Sequence, residues 1–270
     1  MIIYPNQGAG LCNRLHAVAN LIAFAEDTGQ TVLILSLRNY ARYFSGMPEK
    51  GLFWFRPSNP RKRCLRVPFC WLRSGRFKQQ KLSYRDPQVE PIIGWVSLLL
   101  LTGWRFRDDV AMQKHAALIR RVFAPRPGYR ESIDACLSSV RGRCDVLVGV
   151  HIRRTDYATF QNGRYCFADS VYRQWMEHLQ GQMNRRVGFL IASDEPIDLT
   201  AFEGLDVQTA PGQELKDLYA LASCDYLIGP PSTYTSWASY YGQVPLWHGE
   251  TSERLPGLQD FQIHQCASST

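Results

Sequence analysis

Val146-Leu147-Val148-Gly149-Val150-His151-Ile152-Arg153-Arg154-Thr155-Asp156 is the stretch that decides the fold. Its first seven residues are largely apolar and β-branched, which reads as a buried strand. Two arginines and an acid follow at once. Further strands alternate with helices beyond it. The pattern predicts a helix over 169–183 capped by Asp169, then a strand over 187–192. A helix over 213–223, a strand over 226–229, a short helix over 235–241 and a last strand over 244–247 follow. Such alternation specifies a mainly parallel sheet.

The other end of the chain has the same grammar. Residues 2–4 are apolar, and Pro5-Asn6-Gln7-Gly8-Ala9-Gly10 is turn chemistry. From Leu11 the apolar residues Leu11, Leu15, Val18, Leu21, Ile22 and Ala25 keep a helical period, Gly29 stops it, and 31–35 is a strand. Between the two ends the pattern is broken by Pro48, Pro57, Pro60, Pro68, Pro87 and Pro91. Helices are expected there near 96–101 and 110–123, with a linker at Pro125-Arg126-Pro127-Gly128. The expected fold is α/β, with two facing Rossmann-like domains and mainly parallel sheets. Residues 1–140 are expected to form the first, acceptor-side domain, carrying a basic insert, and 141–270 the second, nucleotide-sugar-binding domain.

With 270 residues, 45% hydrophobic and 20% charged, the chain can bury a core without disulfides or a structural metal. Disorder and mini-protein classes are excluded. The net charge of +7 is local: Lys50 to Arg85 holds 11 of the 31 Lys and Arg residues and no acid, and the remainder is net negative. A solvated loop region accounts for that segment. So does a surface for an anionic partner, which raises a peripheral membrane contact at the inner face. Aromatic residues interleave there without an RNA-binding motif, so no nucleic acid is expected.

The start carries no signal-peptide pattern. The longest apolar stretch, Ile92 to Trp104, falls short of the ~20 residues of a membrane span and reads as a buried helix. Eight cysteines form no C-x-x-C pair, so zinc is not expected and free thiols are. A cytoplasmic location is the expectation.

Open parallel sheets bind ligands beyond the carboxyl ends of their strands. Gly8-Ala9-Gly10-Leu11-Cys12-Asn13 is close to the dinucleotide pattern, but Asn13 replaces its last glycine. No acid follows the second strand, which disfavours NAD. The loop still permits close backbone approach at a helix N-terminus. Asn13, Arg14 and His16 on that first turn either cap and solvate the helix or face a ligand. Arg153 and Arg154 either bind a phosphate bidentately or pair internally with Asp156. Taken singly, Asp194-Glu195-Pro196 is a helix-start turn. Asp217 is a solvated helix residue, and Pro230-Pro231-Ser232-Thr233 is a capped strand-to-helix loop.

His151-Ile152-Arg153-Arg154-Thr155-Asp156 resembles the H-x-R-R-[TG]-D signature of the α1,2-, α1,6- and protein O-fucosyltransferase superfamily. Thr155 is nearest the core α1,6 and rhizobial branch, whereas Tyr157 is what the α1,2 branch places there. Three more stretches are similar in order and spacing. They are Gly10-Leu11-Cys12-Asn13-Arg14-Leu15-His16, then Leu190-Ile191-Ala192-Ser193-Asp194-Glu195-Pro196, and Asp217 with Ser232-Thr233. The resemblance spans roughly 8–35 and 145–247 and implies a GT-B fold and transfer of L-fucose from GDP-fucose to a glycan acceptor.

The resemblance also implies roles. Arg153 would grip the diphosphate and Arg154 lie against the nucleotide. His151 and Asp156 would order the loop, and Asp217 would read guanine. Ser232 and Thr233 would bind the β-phosphate, with Asp194 and Glu195 near the nucleotide or acceptor. Gly10 would approach the donor, and Asn13 would position the leaving phosphate. His16, Glu195 and Asp156 are the candidate bases, because Tyr157 and Gln161 stand where the α1,6 branch has a lysine and a glutamate.

The chain contains no D-x-D, the motif with which many transferases hold a divalent metal. The expectation is an inverting, metal-independent transferase without a cofactor, the arginines and a helix N-terminus stabilising the leaving diphosphate. The rival readings are a transferase for another nucleotide sugar, a non-catalytic nucleotide- or glycan-binding module, and a basic membrane- or RNA-binding protein.

Overall fold

The computed structural model describes residues 2–5, 10–49, 52–60, 69–73, 98–102 and 107–264. The chain divides into two compact units between Arg126 and Pro127, inside the Pro125–Gly128 stretch. Most of the basic segment, and Gly8 with the loop before Gly10, lie outside the described residues. The membrane contact expected of that segment falls largely outside the described residues. Among the described residues no helix is long and apolar enough to cross a membrane.

In the first unit, β1 (Ile2–Tyr4) leads through Gly10 into helix α1 (Leu11–Thr28). The helix ends at Gly29, whose φ of 70° is the left-handed conformation that glycine adopts without a Cβ clash. The chain returns as β2 (Val32–Ile34), parallel to β1. Strands β3 (Phe53–Phe55), β4 (Phe69–Arg73) and β5 (Leu98–Thr102) complete a sheet ordered β3-β2-β1-β5-β4 among the described residues. All its pairings are parallel except β2 with β3.

The helix expected near 96–101 is thus a strand. It is five residues long, four of them leucine, and pairs with β1 and β4 on its two sides. An inner parallel strand shows the same unbroken hydrophobicity as a short buried helix, and sheet pairing decides between them. The helix expected over 110–123 is two, α2 (Asp109–Lys114) and α3 (Ala116–Val122), broken at His115.

The second unit begins with α4 (Pro127–Arg141), followed by β6 (Val146–Ile152), every residue of which is buried. Then come α5 (Asp169–Gln182), β7 (Val187–Ser193), β8 (Asp206–Thr209), α6 (Glu214–Leu221) and β9 (Tyr226–Gly229). The unit closes with α7 (Thr233–Gly242), β10 (Pro245–His248) and the short antiparallel β11 (Gln262–Ile263). The sheet order is β11-β10-β9-β6-β7-β8. Counted from β6, this is the doubly wound order in which the chain reverses direction between its first and fourth strands.

The core under this sheet is aromatic. Trp175 of α5 packs edge-on against Trp247 of β10 at 5.1 Å and against Phe167 and Tyr172. Asp169 is the first residue of α5 and not its cap. Ala168 holds the cap position, and the Asp169 carboxylate pairs with Arg154. Cys12, Cys136, Cys144, Cys166 and Cys224 are free thiols.

Candidate active site

Reversal of strand order opens a crevice beyond the carboxyl ends of β6 and β9. Four loops meet along that edge: 153–156 after β6, 194–196 after β7, 210–213 after β8 and 230–232 after β9. A cleft of about 320 Å³ lies there, lined by His151, Arg153, Asp194, Gly212, Asp217 and Tyr234 among others.

Asp194 ties two of the loops together. Its Oδ1 accepts the Arg154 N–H at 3.0 Å, and its Oδ2 accepts the Thr155 N–H at 3.1 Å and the Thr155 hydroxyl at 2.5 Å. Burial alone would raise its pKa. The Thr155 hydroxyl, the Arg154 N–H and the Arg153 charge outweigh burial and hold it below the usual carboxylate range.

Arg153 is held from one side only. Its Nε donates to Asp156 Oδ1 at 2.7 Å and lies 3.4 Å from Asp194 Oδ2. Its guanidinium sits 5.9 Å above the Tyr157 ring. The two terminal amino groups hydrogen-bond to nothing among the described residues, so a fixed two-pronged donor borders the cleft. That geometry matches a phosphate. Burial would lower the Arg153 pKa, but the two carboxylates raise it. Arg154 pairs with Asp169 and is not among the residues lining the cleft.

Across the cleft, Asp217 is 6% exposed, not the solvated helix residue that its sequence position allows. One oxygen, Oδ1, accepts the Gly212 and Gln213 N–H groups at 2.8 and 3.2 Å. Oδ2 accepts from no group among the described residues. Burial pushes this carboxyl up, against those two donors. The site therefore offers a carboxylate oxygen that opens to the cleft from an otherwise buried side chain, without an N–H donor among the described residues.

His151 is buried between the strands, its ring stacked on Tyr234 at 4.9 Å. Burial, and then the Arg153 charge, lower its pKa to about 3, so it is neutral. Its Nδ1 has no partner among the described residues. Ser232 caps α7, its Oγ accepting the Tyr234 N–H at 3.0 Å, and Thr233 opens the helix. Tyr157 donates to Pro231 O at 2.6 Å, locking the loop after β6 to the one before α7. Tyr157 and Asp169 were missed as site supports, because both act through partners far away in sequence.

Glu195 is exposed beside the cleft. Gly10, Asn13 and His16 belong to the first unit. Gly10 precedes α1, Asn13 lies on its first turn, and His16 is fully buried. Among the described residues no three His, Cys, Asp or Glu side chains converge as a metal-ligand set.

Residues 117–243 match the family model of glycosyl transferase family 11. No curated protein matches by sequence. The fold is similar to a mutant of Arabidopsis thaliana FUT1 in complex with GDP, with TM-score 0.58 and 13% identity, over 98% of this chain and 73% of that one. It is also similar to NodZ alpha-1,6-fucosyltransferase soaked with GDP-fucose, with TM-score 0.57 and 17% identity over 92% and 94%. POFUT1 in complex with GDP gives TM-score 0.53 and 12% identity over 92% and 97%. The GT-B-like α/β class and the fucosyltransferase resemblance read from the motifs are borne out, and the chain is a glycosyltransferase.

Proposed function

We propose that the protein transfers L-fucose from GDP-fucose to a glycan acceptor, with inversion and without a metal. One observation carries this reading. A single cleft is bordered by the free prongs of Arg153 and by the unpaired Oδ2 of Asp217. The first suits a diphosphate. The second suits the guanine edge, whose N–H groups donate to a carboxylate. GDP in similar folds supports the same reading.

In the reaction an acceptor hydroxyl attacks the anomeric carbon of fucose from the face opposite the diphosphate. The C–O bond to the phosphate breaks, and GDP leaves with its electron pair. Charge building on the leaving oxygen would be stabilised by Arg153 and by the N–H groups at the start of α7. Asp194 and Asp156 keep the Arg153 fork oriented without occupying it. The acceptor proton goes to a base. Asp156 is taken by Arg153, whereas Glu195 has no side-chain partner among the described residues. Incubation with GDP-fucose and a glycan mixture tests the reading. GDP release coupled to labelled glycan is expected, and labelling from a UDP-sugar instead would refute it.

A further inference from the structure

The loop after the arginine pair carries an unusual surface. Phe160 is 45% exposed. Its ring lies nearly parallel to that of Tyr157, 27° between planes and 5.3 Å between centres. Tyr157 is buried, is hydrogen-bonded to Pro231, and has the Arg153 guanidinium over its ring. Phe160 is therefore the outer leaf of a stack whose inner leaf touches the arginine of the cleft.

The backbone beyond it is strained. Gln161, Asn162 and Gly163 have φ of 49°, 60° and 76°, three left-handed residues in succession. Glycine takes this conformation freely, but the other two residues hold it at a cost of about 1–3 kcal/mol each. Both amide side chains are exposed, and neither makes a hydrogen bond among the described residues. The strain holds two unused amides beside an exposed aromatic face.

We propose that Phe160, flanked by Gln161 and Asn162, is the platform for the acceptor sugar. The inference rests on the donor reading above and extends it to the second substrate. A neutral pyranose presents an apolar C–H face and a rim of hydroxyls. An aromatic ring covers the first, and amides serve the second as donor and acceptor together. The acceptor hydroxyl must reach the sugar held on the diphosphate, and the platform stands two ring contacts from the Arg153 guanidinium. A neutral hexose ring is the occupant that fits both the surface chemistry and this position.

The test uses the full chain with GDP-fucose and a panel of neutral methyl hexopyranosides and their disaccharides. GDP affinity is measured alongside by calorimetry. Phe160→Ala is expected to raise KM for the accepted sugar about tenfold with kcat changed less than threefold and GDP affinity within twofold. Phe160→Trp is expected to restore the native KM, and Gln161→Ala to raise it separately. An unchanged acceptor KM in Phe160→Ala, or GDP affinity falling with it, would overturn the platform. So would a native protein that binds GDP but labels no neutral sugar. A native protein that fails to bind GDP refutes the donor reading instead.

Discussion

Asp194 accepts both the backbone N–H and the hydroxyl of Thr155, fastening the loop after β6 to the end of β7. The bond sets the direction of the arginine that follows β6. Asp194→Asn should lose about 1.5–3 kcal/mol, the worth of hydrogen bonds to a charged group. Because the folded pKa of Asp194 is lowered, its contribution is complete above the unfolded value of about 3.9. It is lost as pH falls through the folded value. Denaturant midpoints across acid pH should show this loss in the native protein and not in Asp194→Asn.

Arg153→Ala should keep its fold, because Arg153 and Asp156 are both partly exposed and such pairs contribute about 0–1 kcal/mol. GDP affinity should fall by about 1.5–3 kcal/mol for each phosphate hydrogen bond lost. Arg153→Lys should rescue poorly, since a point charge lacks the fork. Calorimetric titration with GDP, beside a thermal melt, checks both; native affinity in Arg153→Ala would remove the residue from the diphosphate.

Asp217 gives a second pH signature, from a carboxyl shifted the other way. Its raised carboxyl takes up a proton as pH falls, and the protonated form has lost an acceptor site for guanine. GDP affinity should therefore weaken from neutral toward acid pH as that proton is taken up. Asp217→Asn should flatten the profile and cost about 1–3 kcal/mol of GDP binding. A native profile without pH dependence would exclude the ionised carboxylate from the binding step.

Gly229 ends β9 against the backbone of β6. A Cβ there would lie 2.8 Å from His151 O and 3.1 Å from His151 Cβ. Backbone cannot swing aside as a side-chain tip can, so Gly229→Ala should cost about 1–3 kcal/mol. Because His151 lines the cleft, GDP affinity should drop too. An unchanged denaturation midpoint would show that the two strands part more easily than their packing suggests.

Turnover in excess EDTA should match turnover without it, and should fall with added salt as the arginine contacts are screened. Activity lost in EDTA and restored by manganese or magnesium would replace the arginine-based account of leaving-group departure.

The elements that position the cleft were legible because their signals are local. β6, β7 and β9 are mostly apolar runs, and the residues of the crevice lie at their ends or within a few positions beyond. β8 was missed because it is a partly exposed edge strand, Asp-Val-Gln-Thr, without an apolar run. β5 was misread because a run of four leucines suits a buried helix or a central strand equally. The supports of the site were hidden for a different reason. Asp169 answers Arg154, Pro231 answers Tyr157 and Tyr234 answers His151 across 15 to 83 residues of chain. Such pairings belong to the closed sheet and leave no periodic trace.

On the proposed reading this cleft holds a guanosine diphosphate. Calorimetric titration of the native protein with GDP and with UDP, at neutral pH and low salt, tests it most directly. Saturable GDP binding is expected, with UDP bound about tenfold more weakly, because guanine offers the Asp217 Oδ2 two adjacent N–H donors where uracil offers one. Equal affinity for the two, or none for GDP, would contradict it.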